Sequence, residues 1–236
     1  MSDPFGRALL DHARGERTAP LGQIDGERVR DHPVEEFYFE PREPGREATT
    51  FLEHHLQGPL VDLGAGVGRD VQYFGEQFET VGVEHSPHLV TAMRERGVER
   101  AVEGDMFALW ETFDRDRFGS ALAFGTQLGL AQSPAGVQSF LADLAVVTRP
   151  DATAVVDAYD PTTESATELL GYRSEPTPGL AGRVMHFEYE ERRGETLLFR
   201  LFSPARLRAA VAPTRWAVVD TLASDDAHYH AALQKS

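Results

Sequence analysis

Short apolar runs alternate along this chain with stretches whose apolar residues recur at helical spacing. The runs at 59–63, 80–84, 99–103, 118–124 and 152–157 predict five buried strands. Between them, 69–77 turns Val71 and Phe74 to one side, and the stretch after Ser86-Pro87 does the same with Leu89, Val90 and Met93. Ser86 suits the cap of that second helix and Pro87 its first position, while Gly97 can end it. Helices are also predicted over 134–147 and over 45–57, the latter with Phe51, Leu52 and Leu56 on one face. Strands alternating with helices predict a parallel sheet covered on both faces.

Both ends of the chain break this rhythm. Residues 182–192 and 195–202 read as two antiparallel strands joined near Arg193-Gly194, followed by a helix over 204–212 and strands over 216–222 and 228–233. At the start, 5–14 predicts a short helix and 17–31 is polar and glycine-containing. Residues 32–39 then concentrate aromatics ahead of the breakers Pro41, Pro44 and Gly45. That aromatic segment is either a lid over a ligand or an arm packed on the core. No internal repeat or low-complexity linker divides the chain, so one domain is expected over 1–236. Within it, 1–44 is a cap segment, 45–161 the core, 171–202 an antiparallel insertion, and 203–236 the closing helix and strands.

Length and composition agree with one substantial α/β core: 236 residues, 41% hydrophobic. No apolar run has the length needed to cross a bilayer and the polar start does not resemble a secretory leader, so a cytoplasmic location is expected. Cysteine is absent, which removes disulfides, thiolate metal ligands and cysteine nucleophiles together, and no metal is expected. The net charge of −15 argues against nucleic acid and anionic membranes as partners. Every positive side chain except Lys235 is arginine. A GC-rich coding sequence and a salt-rich cytoplasm both account for this; the second is favoured, because salt screens the self-repulsion of an acidic surface.

The chemistry concentrates at Val61-Asp62-Leu63-Gly64-Ala65-Gly66-Val67-Gly68-Arg69, a buried strand that turns through glycines onto a helix N-terminus. Glycines let a ligand approach bare main chain, and the helix start offers free N–H groups and partial positive charge. A nicotinamide-binding turn carries its third glycine where this chain has Arg69. Glycine spacing alone separates the two kinds of nucleotide site weakly, and the rest of the series does so better.

With Glu84, Asp105 and the strand ending Phe124-Gly125-Thr126-Gln127, the segment resembles motif I and its companions in the class I methyltransferases that use S-adenosylmethionine (SAM). The resemblance covers residues 45–161. It implies a Rossmann-like three-layer α/β sandwich with a seven-stranded, mostly parallel sheet whose last strand is antiparallel and lies between the fifth and sixth. It also implies a SAM site. Gly64, Ala65, Gly66 and Gly68 form the turn, Asp62 helps hold the ammonium of the methionine moiety, and Glu84 accepts the ribose hydroxyls. Asp105 takes the adenine amino group beside Met106 and Phe107, His85 faces the adenine, and Gly125 and Thr126 pass under the methionine end. Alternatives remain for single positions: Glu84 as a helix cap, Asp105 as a turn cap, His85 as a surface residue.

Methyl transfer from a sulfonium needs alignment more than a base. Base candidates are Gln127, Tyr159, His186, His228 and Tyr229, with ordinary packing the competing role for each histidine and tyrosine. The fourth strand ends Phe-Gly-Thr-Gln and not in the Asn/Asp-Pro-Pro-aromatic sequence of the enzymes that methylate amino groups of bases and glutamines. With the acidic charge, this points to a small-molecule acceptor. A catalytically silent SAM sensor or partner subunit is the alternative, and a nicotinamide-dependent oxidoreductase comes third.

Overall fold

A computed structural model describes residues 2–224 and 227–236. The chain opens with α1 (Pro4–Ala13), a hairpin of β1 (Gly22–Asp25) and β2 (Arg28–Asp31), a single wide helical turn at Glu35–Phe39, and α2 (Glu47–His55). The core follows as β3 (Leu60–Leu63), α3 (Arg69–Gly75), β4 (Thr80–Glu84), α4 (Pro87–Glu95), β5 (Ala101–Glu103), β6 (Phe118–Ala123), α5 (Pro134–Val147) and β7 (Thr148–Tyr159). Then come β8 (Tyr172–Ser174), β9 (Leu180–Tyr189), β10 (Arg192–Arg193), β11 (Leu197–Phe202), α6 (Pro204–Val211), β12 (Trp216–Ala223) and β13 (His228–Lys235). None of the described helices is long and apolar enough to cross a membrane.

The main sheet has the order β12-β13-β7-β6-β3-β4-β5. Strands β3 to β7 run parallel, and β13 lies antiparallel between β7 and β12. This is the seven-stranded arrangement expected from the sequence. Side-chain alternation splits β3 between the two faces. Val61 and Leu63 join the cluster built with Phe140, Leu141 and Leu144 of α5 and Leu207 and Val211 of α6. Leu60 turns the other way, to Phe51 and Leu52 of α2 and Phe74 of α3. Three layers result, and the chain reverses its winding between β3 and β6. In such sheets a crevice opens at the carboxyl ends of the strands where winding reverses, so Leu63 and Ala123 end at its rim. Even the lone lysine is spent on structure: Lys235 Nζ donates to the carbonyls of Ala145 and Thr148 at 2.7 and 2.6 Å.

A second sheet covers that crevice. Its spine is β9, whose first half pairs with β8 and β11 and whose second half pairs with β1 and β10. The hairpin β1–β2 was not foreseen, because 17–31 has no apolar alternation. An isolated hairpin is marginal in water, and this one exists by adding to the edge of β9. The β9–β10 turn falls at Glu190-Glu191, with φ of 49° and 62°, and not at 193–194. Paired glutamates in the left-handed region carry no turn signature, which is why the sequence pointed elsewhere. Helix α1 ties this sheet to the core: Leu9 and Leu10 pack with Leu21, Leu89 of α4 and Tyr189 of β9.

Candidate functional site

The turn after β3 is fixed by its neighbour strand, since the amides of Gly64 and Ala65 both donate to the carbonyl of Val83 at 2.9 and 3.1 Å. Gly64 has φ of 70°, which disfavours any other residue, and a Cβ there would lie 2.4 Å from the end of the Gln127 side chain, which would have to move. Gly66 has φ of 58° and faces open space except for the ring of Tyr38, 3.5 Å from where its Cβ would stand. Glu84 closes the other side of the turn. Its Oε2 accepts from the Gly66 amide at 3.1 Å, and its Oε1 accepts from His85 and Ser86 at 2.8 and 3.1 Å. Burial nonetheless pushes the Glu84 carboxyl above its ordinary value, with the three amides working against that shift.

These groups line one cleft of about 950 Å³ between the strand ends and the second sheet. Of the residues foreseen, Asp62, Gly64, Ala65 and Gly66 form one stretch of its wall, and Glu84 and His85 another. Gly125 and Thr126 form a third, held by Asp157, whose carboxylate accepts from their amides at 3.0 and 2.7 Å. Gly68 caps α3 from behind, against Val98 and Met93. Asp105, Met106 and Phe107 lie past the end of β5, off the cleft wall. There Asp105 Oδ1 accepts from the Phe107 amide at 2.8 Å, Met106 is buried in the core, and Phe107 meets Phe140 edge-on.

The base candidates divide similarly. Gln127, Tyr159 and His228 line the cleft, and His228 Nε2 bonds Asp157 at 2.7 Å. His186 faces away on β9 with Glu188 at 2.9 Å, and the Tyr229 hydroxyl donates to the Phe202 carbonyl in the core.

Asp62 and Arg69 were foreseen at the turn, but Arg42, Asp70 and Arg183 gave no signal in the sequence. Asp62 lies buried beside Asp70; burial, then Asp70, pushes its carboxyl well above the ordinary value, while Arg42 and Arg69 pull the other way. Asp70 is also buried, but Arg42 and Arg69 outweigh that burial and hold its carboxyl below the ordinary value. Arg42 Nε donates to Asp70, Arg69 donates to Asp70 at 3.4 Å and to the Phe37 carbonyl at 2.8 Å, and Arg69 Nε is buried with no partner. The Pro41–Pro44 stretch gave only a break signal, so Arg42 could not be tied to α3 beforehand.

A chain of donors runs along the roof. Arg183 on β9 donates from Nη2 to Gln23 Oε1 at 2.8 Å, which fixes the amide so that Gln23 Nε2 donates to His32 Nδ1 at 2.6 Å. The proton of that neutral ring therefore sits on Nε2 and is given to the Tyr38 hydroxyl oxygen at 2.9 Å. Burial, then the Arg183 charge, lowers the His32 pKa to about 4.

No family model and no curated protein matches the sequence. Solved structures do resemble it, and the architecture is the class I SAM-dependent methyltransferase fold. A SAM-dependent methyltransferase from Bacteroides fragilis, solved with S-adenosylhomocysteine, superposes with a TM-score of 0.81 at 20% identity, over 99% of this chain and 95% of that one. That likeness takes in the second sheet as well as the core. The 1,6-didemethyltoxoflavin-N1-methyltransferase of Burkholderia thailandensis, bound to 1,6-didemethyltoxoflavin and S-adenosylhomocysteine, gives 0.54 at 23% identity over 81% and 77%. The CcbJ methyltransferase of Streptomyces caelestis gives 0.61 at 18% identity over 86% and 96%.

Proposed function

We propose that this chain is an enzyme that transfers a methyl group from SAM to a small-molecule acceptor held in the roofed cleft. The observation that carries the reading is the carboxylate of Glu84 pinned beside a side-chain-free Gly66 at the strand ends. A nucleoside's ribose hydroxyls need such an acceptor, and its backbone needs such a gap.

The rest of the wall suits the remainder of that donor. Asp62 meets an ammonium, and the unpartnered Arg69 Nε lies in the same buried cluster for a carboxylate. Gly125, where a Cβ would meet nothing within 4 Å, leaves room for the methionine end above the loop that Asp157 holds. His85 stands at the adenine end. Asp105 lies off the cleft wall itself, but the Gly104 amide ties its loop to that end, donating to the Glu84 carbonyl at 3.1 Å. An adenine reaching past the wall would offer its amino group to the second oxygen of Asp105. A sulfonium methyl is already activated, so its transfer is an in-line displacement by the acceptor's nucleophile. The protein's share is to orient and to exclude water, which the second sheet does by covering the strand ends. His228, oriented by Asp157, takes the proton when the acceptor has one to lose.

The small-molecule acceptor is supported by the covered cleft, by the net charge of −15, and by the 1,6-didemethyltoxoflavin bound to the Burkholderia neighbour. The work is assigned to the cytoplasm of a salt-rich cell, on the acidic, lysine-poor composition. Calorimetry with SAM and with NAD, followed by isotope transfer from methyl-labelled SAM into metabolite extracts, tests the reading. Heat with SAM alone and label in a small product support it; heat with NAD alone, or SAM binding with no labelled product from any extract, removes it.

A further inference from the structure

The face of β9 that looks into the cleft carries Arg183, Met185 and Phe187 in alternation, and β11 adds Leu197 and Phe199 beside it. This roof is apolar except for one guanidinium. Arg183 Nε donates to the Leu170 carbonyl at 2.8 Å and Nη2 to the Gln23 amide, both neutral acceptors. No carboxylate pairs with it among the described residues. Glu84 is committed to three amides, Asp157 to two amides and His228, Asp70 to Arg42 and Arg69, and Asp3 to Ser86 and His88. Asp31, Asp62 and Glu195 also line the cleft, but the charged and phenolic groups that act on Arg183 are Tyr159, Tyr38 and Arg30. The Tyr38 phenol is a neutral hydroxyl, since burial pushes its pKa well up. A guanidinium does not shed its proton, so a cation here stays charged without a counter-ion.

The relay beside it has a direction. Arg183 gives to Gln23, Gln23 to His32, and His32 to the oxygen of Tyr38, so the Tyr38 hydrogen is the one left to give. Both ends of the relay line the cleft, and both are donors. A partly buried guanidinium held only by neutral acceptors, beside the hydroxyl donor that ends the relay and with Arg30 adding like charge, under an apolar roof, is built for an anion on an apolar body.

We propose that the methyl acceptor is a small, apolar molecule bearing a carboxylate, and that Arg183 binds that carboxylate with the Tyr38 hydroxyl as second donor. This rests on the methyltransferase reading of the same cleft. The carboxylate sets which acceptors enter and how they lie, leaving the nucleophile elsewhere on the molecule to meet the methyl. SAM's own carboxylate belongs with Arg69 and its ammonium with Asp62, so Arg183 discriminates acceptors and leaves SAM affinity alone.

The experiment uses the full chain saturated with S-adenosylhomocysteine and a panel of small aromatic carboxylates, each paired with its primary amide, read by thermal shift and calorimetry. Acids are expected to bind about ten- to a hundredfold more tightly than their amides, the worth of one charge-assisted contact. Arg183→Gln should erase that preference with S-adenosylhomocysteine affinity unchanged, and Arg183→Lys should restore part of it. Gln23→Glu is the second variant: it gives Arg183 an internal counter-charge in nearly the same shape, and should also erase the preference. Acids and amides that bind alike, or not at all, to protein that holds S-adenosylhomocysteine would overturn the inference alone. So would loss of S-adenosylhomocysteine affinity in folded Arg183→Gln. Failure of the parent chain to bind S-adenosylhomocysteine would overturn the methyltransferase reading, and the inference with it.

Discussion

Glu84→Ala is the perturbation whose cost follows most directly from geometry. A carboxylate offers about four acceptor positions, and three are taken by the amides of Gly66, His85 and Ser86. One position, on Oε2, remains for a ribose hydroxyl without breaking an existing bond; a second hydroxyl has to displace the Gly66 amide. The variant thus loses one charge-assisted hydrogen bond, about 1.5–3 kcal/mol, or roughly ten- to a hundredfold in SAM affinity. Fold stability should fall by less. The three amides sit at the cleft rim where water replaces the lost oxygens, and the variant also removes a carboxylate whose burial disfavours its charge. Calorimetric titration with SAM, beside a thermal melt of the same sample, reads both quantities. A dissociation constant within about twofold of the parent's, in protein melting normally, would refute the assignment of Glu84, since even the weakest charged hydrogen bond is worth more.

Asp62→Asn should separate stability from binding. The Asp62 carboxyl titrates well above its ordinary value, so its contribution to stability is present at acid pH and lost as pH rises through the folded pKa. The asparagine variant should therefore gain on the parent from acid to neutral pH, at about 2–4 °C of midpoint per kcal/mol relieved, while SAM affinity falls by about tenfold. Melts across pH with parallel titrations check it; a variant less stable at every pH contradicts it. His32 and His230 run the other way. Both are held down to about 4 from 6.5, chiefly by burial, so each favours the fold above its unfolded pKa and loses that support as pH falls from 6.5 toward 4. The ceiling is about 3 kcal/mol apiece, and replacing His230 with leucine should flatten the acid limb of the midpoint-against-pH curve. Finally, the midpoint should climb from low to molar KCl as self-repulsion at −15 is screened; a flat or falling curve removes the salt-adapted reading.

The main sheet was legible because its central parallel strands β3, β4 and β6 are buried apolar runs, and burial on both faces writes itself into sequence. Helix α5 appeared at its observed bounds because Ser133 and Pro134 mark its start. The roof was only half legible. Strands β9 and β11 alternate visibly, but β1 and β2 read as polar loop, since what makes them strands is the edge of β9 far along the chain. Position-by-position reasoning reached the residues that touch backbone at fixed offsets, such as Gly66 and Glu84. It missed Arg42 and Asp70, whose pairing spans two elements, and it missed Arg183, which looks like any surface arginine until Gln23 and Leu170 are seen to enclose it. Isolated charges acquire meaning only from tertiary enclosure. A sequence supplies the charges but not what surrounds them.

The cleft between Glu84 and the β9 roof is proposed to hold SAM, with its methyl turned toward an acceptor under Arg183. A crystal structure of the chain with S-adenosylhomocysteine and an aromatic carboxylate tests it most directly. Ribose hydroxyls are expected within hydrogen-bond distance of Glu84, the sulfur above the Gly125-Thr126 loop, and the carboxylate on Arg183. A nucleoside bound elsewhere on the chain, or a ribose with no contact to Glu84, would contradict it.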